Sequence, residues 1–417
     1  MVLSGILYSC VQNDDIAQNE TQVLTEDSDN MTILGEERSI PSSISNMDNA
    51  YAFLKSENPN LPEFKAKTTH LYMRFLPKDE AELDYLKEDT TMIWFETPLH
   101  YKVEKQGHYY HDPSLPEDQI TWQYIVLEVE KEIPNVYHEL IEELCLHNNG
   151  ELKSQNINDR LFTEIQKAAL KLSKPNDNLK SVAIADWRPS GNLTVDGVPL
   201  QGVEVRIVDG FLDVDPQYTD EYGNFTGSRD ASSPVDYEVN WERYQFVIRE
   251  GTSNSVASID AQSQTTSWEP NLDIYGSNHY HPSIFLGAHD MYYGNIYSLS
   301  RPPQNGLLVS KMKIQAINSN NPLGGGAFGH TRSVDVKASI SPLNLVFGST
   351  VHELAHAAHW INDKALFESI ADDKVIESWG VGELASCGTL QMRDFLYIQL
   401  IIGIWTAVIY TKGLYKI

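Results

Sequence analysis

The stretch from Phe347 to Trp360, FGSTVHELAHAAHW, contains no proline and a single carboxylate, that of Glu353. Its length and mainly apolar composition predict an α-helix. His352 and His356 are four residues apart, so on a helix they differ by about 40° in azimuth and about 6 Å in rise. Their imidazoles therefore share one face of the predicted helix, where both can reach a single ion.

The same stretch carries the pattern H-E-x-x-H, in which two histidines bind zinc and the glutamate acts as a general base. Glu353 is offset by about 100° from His352, so its carboxylate can reach a water at the ion without binding the ion itself. The alternative is a packing helix whose histidines are hydrogen-bonded in a core. We expect the helix to be buried on all sides, and burial disfavours that alternative because unpaired polar groups are costly to bury.

A third histidine, His359, lies seven residues after His352 and about 10.5 Å further along the helix axis. On an unbroken helix that distance is too great for all three imidazoles to share one ion. The metzincin pattern has a glycine at this position and a histidine three residues later, whereas this chain has His359 and Asn362. That clan is therefore excluded, and His359 is predicted to support the ligands from outside the metal's coordination sphere, to face the substrate, or simply to pack.

The motif, with a glutamate about 20 residues after it, resembles the gluzincin clan of zinc metallopeptidases. Glu377 stands 21 residues after His356, and the resemblance implies that it is the third zinc ligand. Glu383, 27 residues after His356, is the alternative. One position departs from the clan, because its frequent aspartate four residues after the ligand glutamate is Val381 here. The resemblance implies a Zn²⁺-dependent peptidase that hydrolyses protein or peptide substrates, with Glu353 as general base.

A second hypothesis belongs to another class of protein: a surface-anchored binding lipoprotein whose peptidase-like domain is inactive. The long region that precedes the motif and carries no chemistry of its own favours this hypothesis, and so does Val381. A third hypothesis keeps the zinc site but gives it a substrate other than protein. Proteolytic activity on casein or on a peptide library would discriminate these hypotheses.

The N-terminus, MVLSGILYSC, is a short apolar run that ends at Cys10. It resembles the lipobox of bacterial lipoproteins, in which a cysteine becomes lipidated after cleavage, although no Lys or Arg precedes the run. Residues 11–40 contain eight acidic residues and one arginine, a composition that predicts a disordered tether over residues 11–45. The resemblance implies an exported protein of a Gram-negative bacterium, held at the outer membrane or cell surface by a lipid on Cys10. The alternative is a frayed apolar N-terminus.

Length and charge set further bounds. A chain of 417 residues predicts two or three domains. The net charge of −27 argues against nucleic acid as a partner and would repel an anionic membrane surface. Membrane attachment is therefore expected through the lipid alone. The apolar stretch at residues 395–410 is too short to span a bilayer as a helix and is predicted to be a buried helix or strand pair.

The predicted fold is a multidomain α+β protein. Residues 46–180 mix a strand pattern at Trp122–Val129 with helical spacing between Leu161 and Leu172, and are interpreted as an α+β module. Residues 181–250 contain alternating strand patterns at Val203–Ile207 and around Phe246. The order of the segments PSGNLTV (189–195), PLQGVEVRIVD (199–209) and TDEYGNF (219–225) resembles a carboxypeptidase-regulatory-like β-sandwich. Residues 251–417 are predicted to form a mainly helical, zincin-like catalytic domain. Within them, the glycine-rich residues 324–329 lack the ending of a phosphate loop and are interpreted as an edge strand.

Overall fold

The computed structural model describes residues 31–147, 157–173, 187–210, 212–231, 233–251, 255–272, 280–294, 301–305, 311–318, 325–328, 333–338 and 343–362. They form two compact units. The N-terminal unit combines Asp29–Tyr244 with Ser253–Asn271, and the C-terminal unit contains Gln245–Thr252 and Leu272–Ile417. Among the described helices, none is long and apolar enough to cross a bilayer. The predictions for Cys10 and for residues 395–410 lie outside the described residues.

The first part of the N-terminal unit mixes helices with short antiparallel strands. Its elements are β1 (Ile33–Glu37), α1 (Ile44–Glu57), β2 (His70–Phe75), α2 (Glu80–Leu86), β3 (Tyr101–Lys105), β4 (Gln123–Glu128), β5 (His138–Leu144) and α3 (Asp159–Ser173). One sheet has the order β4-β2-β5, and β1 pairs with β3 in a separate ribbon. Helices α1 and α3 pack together and bury Met47, Phe162 and Ile165 completely. The strand predicted at Trp122–Val129 is β4, and the predicted helical spacing belongs to α3.

The second part of the N-terminal unit consists of short β-strands. They are β6 (Ser190–Asn192), β7 (Thr194–Val195), β8 (Val198–Pro199), β9 (Glu204–Asp209), β10 (Val214–Tyr218), β11 (Asn224–Thr226), β12 (Val235–Asn240), β14 (Ser258–Gln264) and β15 (Asn271–Leu272). The largest sheet has the order β10-β9-β12-β14 and is antiparallel throughout. Val205 and Ile207 of β9 are buried, as the alternation predicts, but Arg206 on the opposite face is only 3% exposed. Both faces of β9 are therefore covered.

The C-terminal unit contains a mixed sheet and two helices. Its elements are β13 (Phe246–Glu250), α4 (Tyr280–Tyr293), β16 (Met312–Asn318), β17 (Gly325–Phe328), β18 (Ser333–Ala338) and α5 (Leu343–Asn362). The sheet order is β13-β16-β18-β17; the first three strands are parallel, and β17 is the antiparallel edge strand. One face buries Phe246, Ile248, Met312, Ile314, Val334 and Val336 completely. Helix α4 contacts β13 and β16, and α5 contacts β17 and β18.

The predicted fold class, α+β with a mainly helical C-terminal domain, is wrong. Among the described residues, 34% are in strands and 25% in helices, and the strands form six small sheets. The described part of the C-terminal unit is built on a four-stranded sheet rather than on helices alone. Strands β13 and β16 pair across more than 60 residues of sequence, so local patterns do not show that they belong to one sheet. The strand at Phe246, which the alternation pattern placed in the sandwich, is β13 and pairs with β16.

A buried charged cluster, the Arg206 cluster, joins the two parts of the N-terminal unit. It consists of Arg206 and Glu204 of β9, Glu238 of β12, Glu242, and Asp260 of β14. The guanidinium lies 2.7 Å from a Glu204 carboxylate oxygen, 3.3 Å from Glu242 and 3.6 Å from Glu238. Arg206 also donates a hydrogen bond to the carbonyl of Trp94 and lies over the ring of Phe95. The cluster therefore holds residues 94–95 against the sheet.

Two carboxyls of the Arg206 cluster face each other across neighbouring strands. Glu238 pairs in register with Arg206 on one side and with Asp260 on the other. Asn240 donates a hydrogen bond to Glu238, and Gln106 donates one to Asp260. Burial, and then Asp260, raise the pKa of Glu238 to about 8 against the opposing effect of Arg206. Burial is also the main cause that raises the pKa of Asp260 to about 7.

We expect the N-terminal unit to lose stability as the pH rises from about 5.5 to 9. In an unfolded chain both carboxyls have pKa values of about 4, so between pH 4 and 8 the folded state binds more protons than the unfolded state. The contribution of the neutral carboxyls is complete below pH 4 and is lost as the pH rises through 7 to 8. The loss reaches up to about 1.4 kcal/mol per pH unit for each group.

Calorimetric unfolding across this pH range would measure the slope. Glu238→Gln should flatten it, because an amide does not titrate. Glu63→Gln is the matched control, since the Glu63 side chain is 87% exposed, and should leave the slope unchanged. Stability that rises between pH 5.5 and 9, or an equal slope in Glu238→Gln, would contradict the prediction.

Candidate metal centre

Helix α5 carries the H-E-x-x-H residues and is fixed by one buried stripe. Seven of its side chains are 2% exposed or less: Val346, Phe347, Thr350, Val351, Leu354, Ala357 and Ala358. Their spacing of three and four residues is that of one helix face. This stripe packs against α4 and against β17 and β18. These contacts hold the helix along its length. They also fix its rotation about its axis, and so the direction in which the residues opposite the buried stripe point.

The two histidines of the motif converge on the other side of the helix. The Nε2 atoms of His352 and His356 are 3.0 Å apart, and the rings are perpendicular with centroids 4.6 Å apart. His352 is exposed and His356 is half-buried. The expectation of a helix buried on all sides is therefore wrong, and the cost of burying both rings no longer argues against simple packing. The way in which the two rings meet bears more directly on a metal.

The separation of the two nitrogens fits a shared ion. Zinc binds imidazole nitrogen at about 2.0–2.1 Å, so two nitrogens on one ion lie at most about 4.2 Å apart. The distance of 3.0 Å between His352 and His356 is within that limit. A hydrogen bond between one protonated and one unprotonated nitrogen fits the same distance. Imidazole nitrogens on consecutive helical turns with an adjacent carboxylate are typical of zinc sites, so the donor set is compatible with a shared ion.

Glu353 lies on the border between the buried stripe and the histidines. It is 7% exposed, and it stands three residues from both Thr350 in the stripe and His356 at the candidate site. Residues three apart are neighbours on a helix surface. The carboxylate is thus held at the inner side of the histidine pair, away from bulk water.

The predicted third ligand is not among the described residues. In the part of the chain that the structure describes, no third His, Cys, Asp or Glu side chain brings a ligand atom close to both His352 and His356. Glu377 and the alternative Glu383 lie beyond Asn362, outside the described residues, as does Val381. His359 belongs to α5, but its side chain lies outside the description, and its predicted role stays a prediction.

The edge strand β17 lies beside the motif helix. Gly325 to Phe328 pairs with β18 on one side only, in register from Gly325 with Val336 to Phe328 with Ser333. Among the described strands, none pairs with the other edge of β17. The glycine-rich stretch was predicted to be an edge strand, and the structure places it at the sheet edge nearest α5.

The sequence did not reveal a buried polar cluster at the start of α4. The Tyr280 hydroxyl donates to the carboxylate of Glu250 at 2.6 and 2.9 Å, and His281 Nε2 lies 2.6 Å from the same carboxylate. Burial, reinforced by Glu250, raises the pKa of Tyr280 far above its ordinary value, so the phenol stays protonated and donating. These contacts tie the start of α4 to the end of β13. Thirty residues separate the partners in sequence, so no local pattern predicts the pairing.

No protein-family model, curated protein or solved structure matches this chain.

Proposed function

We propose that this chain is a zinc-dependent peptidase of the gluzincin type. His352 and His356 would hold the ion, with Glu377 as third ligand and Glu383 as its alternative. The observation that supports this most strongly is the pair of Nε2 atoms 3.0 Å apart, with the Glu353 carboxylate beside them on the same helix. A packing helix does not require two histidines to converge on its exposed side.

The reaction is hydrolysis of a peptide bond, in which water adds to the carbonyl carbon and the amine leaves. When bound, zinc would polarise the carbonyl and lower the pKa of a water at the site to about 7. Glu353 accepts a proton from the attacking water as the oxygen–carbon bond forms. It then gives this proton to the peptide nitrogen as the carbon–nitrogen bond breaks. The buried position of Glu353 limits proton exchange with solvent between the two steps.

Two observations support an extended peptide as the substrate. Strand β17 presents a backbone edge beside the motif helix, and an extended chain can add to such an edge through main-chain hydrogen bonds. Two of its four residues are glycines, which let another backbone approach closely. The net charge of −27 disfavours a nucleic-acid substrate. We further propose that the protein is exported and held at the cell surface by a lipid on Cys10.

Zinc content tests the proposal. We expect the purified full chain to hold about one zinc per molecule, because three protein ligands and a water complete a catalytic zinc site. His352→Ala and His356→Ala should each abolish binding, since only one of the two predicted imidazole ligands remains. Glu377→Ala should do the same, whereas retained zinc would transfer the third-ligand role to Glu383. Metal analysis after dialysis gives the stoichiometry.

His147→Ala is the control for this measurement. His147 lies in the N-terminal unit, is 40% exposed and contacts Asp159, so its loss should leave the zinc content unchanged. A wild-type chain that takes up no zinc under any loading condition would refute the proposal. That result would favour the binding-protein hypothesis, in which the motif helix only packs.

A further inference from the structure

Helices α4 and α5 contact each other, and Gly287 of α4 lies in this contact. A Cβ atom added to Gly287 of α4 would lie 3.0 Å from the carbonyl oxygen of Phe347 and 3.0 Å from Cβ of Thr350. It would also lie 3.2 Å from Cγ2 of Thr350. Contacts this short require a neighbour to move. The crossing of the two helices therefore depends on the absence of a side chain at position 287.

The atoms that face Gly287 have little freedom to move. Phe347 contributes a backbone oxygen, which can shift only with the helix. Thr350 donates a hydrogen bond from Oγ1 to the carbonyl of Val346 at 2.8 Å, so its rotamer, and with it the position of Cγ2, is fixed. Thr350 is completely buried. A methyl group at position 287 would therefore push on helix α5 as a body.

Helix α4 is anchored at both ends and cannot easily move instead. Tyr280 and His281, at its start, contact the Glu250 carboxylate at the end of β13. Tyr292, near its end, donates a hydrogen bond to the carbonyl of Pro303 and stacks on Phe246 of β13. Any displacement caused at the crossing therefore also reaches α5, the helix that carries the motif.

The contact lies within one turn of the motif. Thr350 precedes His352 by two residues and Glu353 by three, on the same helix. We propose that Gly287 is a positioning residue for the zinc site: by admitting α5 at this distance, it sets the place and rotation of His352, Glu353 and His356. This inference rests on the proposed zinc peptidase function. Metal sites tolerate ligand displacements of only about 0.2 Å, and a misplacement of about 1 Å can cost about 10²-fold in rate.

The test compares two glycine-to-alanine variants of the full chain. Gly287→Ala should weaken zinc affinity about tenfold or more and lower kcat/KM on a peptide substrate by a similar factor. Gly348→Ala is the matched control, because Gly348 lies in α5 itself and a Cβ there would meet nothing within 4 Å. Its zinc affinity and turnover should equal those of wild type. Circular dichroism and zinc titration separate loss of folding from loss of the site.

A rescue variant distinguishes positioning from a general loss of stability. Thr350→Ser removes Cγ2 but keeps the hydroxyl that bonds Val346, so it makes room without changing that hydrogen bond. Added to Gly287→Ala, it should restore part of the zinc affinity. If Gly287→Ala does not fold, Thr350→Ala tests the same contact from α5: we expect weaker zinc binding in a folded protein.

Each result has a defined meaning. Wild-type zinc affinity and turnover in Gly287→Ala would overturn the positioning role while leaving the zinc peptidase intact. So would wild-type values in Thr350→Ala where Gly287→Ala does not fold. An equal loss in Gly287→Ala and Gly348→Ala would also overturn it, because the effect would then be general to the helices. A wild-type chain that binds no zinc would refute the proposed function and this inference together.

Discussion

Glu353→Gln is expected to reduce peptide hydrolysis by about 10²- to 10⁴-fold while leaving the zinc content unchanged. Glutamine has nearly the shape of glutamate, but its amide cannot accept the proton of the attacking water, and general acid–base groups contribute rate factors of this size. Because Glu353 is buried beside the histidines without being a predicted ligand, the substitution should change proton transfer and not metal binding. Turnover on casein or a fluorogenic peptide, with metal analysis of the same sample, measures both effects.

Glu63→Gln is the control for the turnover of Glu353→Gln. Glu63→Gln changes an exposed carboxylate in the N-terminal unit and should keep full activity. A Glu353→Gln variant with wild-type turnover would remove the proposed mechanism, whatever its zinc content. A wild-type chain that holds zinc but cleaves no peptide would instead retain the metal centre and favour a different substrate or an inactive binding protein.

Arg206→Ala is expected to destabilise the N-terminal unit by about 3–5 kcal/mol. The side chain of Arg206 is 4% exposed, and the side chains of its partners Glu204 and Glu242 are 15% and 11% exposed. Removing the guanidinium leaves the carboxylates of Glu204 and Glu242 without their counter-charge, which costs several kcal/mol. The Trp94 carbonyl also loses its donor. Calorimetric or urea-induced unfolding at constant pH gives the change.

Two further variants make this prediction specific. Arg188→Ala removes an exposed pair with Asp230, whose side chains are 46% and 55% exposed, and should change stability by at most about 1 kcal/mol. Combining Arg206→Met with Glu204→Gln and Glu242→Gln should recover part of the loss, because these two positions then carry no carboxylate that lacks a counter-charge. If Arg206→Ala costs no more than Arg188→Ala, the cluster does not hold the two parts of the unit together.

Local patterns predicted the elements whose signals are local. The helical spacing of apolar residues gave α3, and a mainly apolar stretch without proline gave the motif helix α5. A run of β-forming residues gave β4, and alternation gave β9. For the same reason, the approach of His352 to His356 follows from a four-residue spacing on a helix. These predictions depend on interactions between residues close in sequence, which a single sequence shows directly.

Features that depend on distant pairing were not predictable in this way. Alternation indicated that β13 is a strand but gave no information on which strand it pairs with, so it was assigned to the sandwich. Its partner β16 begins more than 60 residues later. The contact between Tyr280 and Glu250, and the clearance at Gly287, likewise depend on how separate elements meet. The motif helix suggested that its region was mainly helical, whereas the described part contains a four-stranded sheet whose order depends on pairing between distant strands.

The two units are interleaved along the chain. The polypeptide enters the C-terminal unit at Gln245, returns to the N-terminal unit at Ser253 and leaves it again after Asn271. During synthesis, β13 leaves the ribosome before β14, the strand that completes the sheet β10-β9-β12-β14. Strand β13 can pair only later, once β16 has been synthesised. Neither unit can therefore be obtained by cutting the gene once, and a stop codon between β13 and β14 would leave both incomplete. The order of translation therefore couples the folding of the C-terminal unit, the candidate peptidase, to the folding of the N-terminal unit.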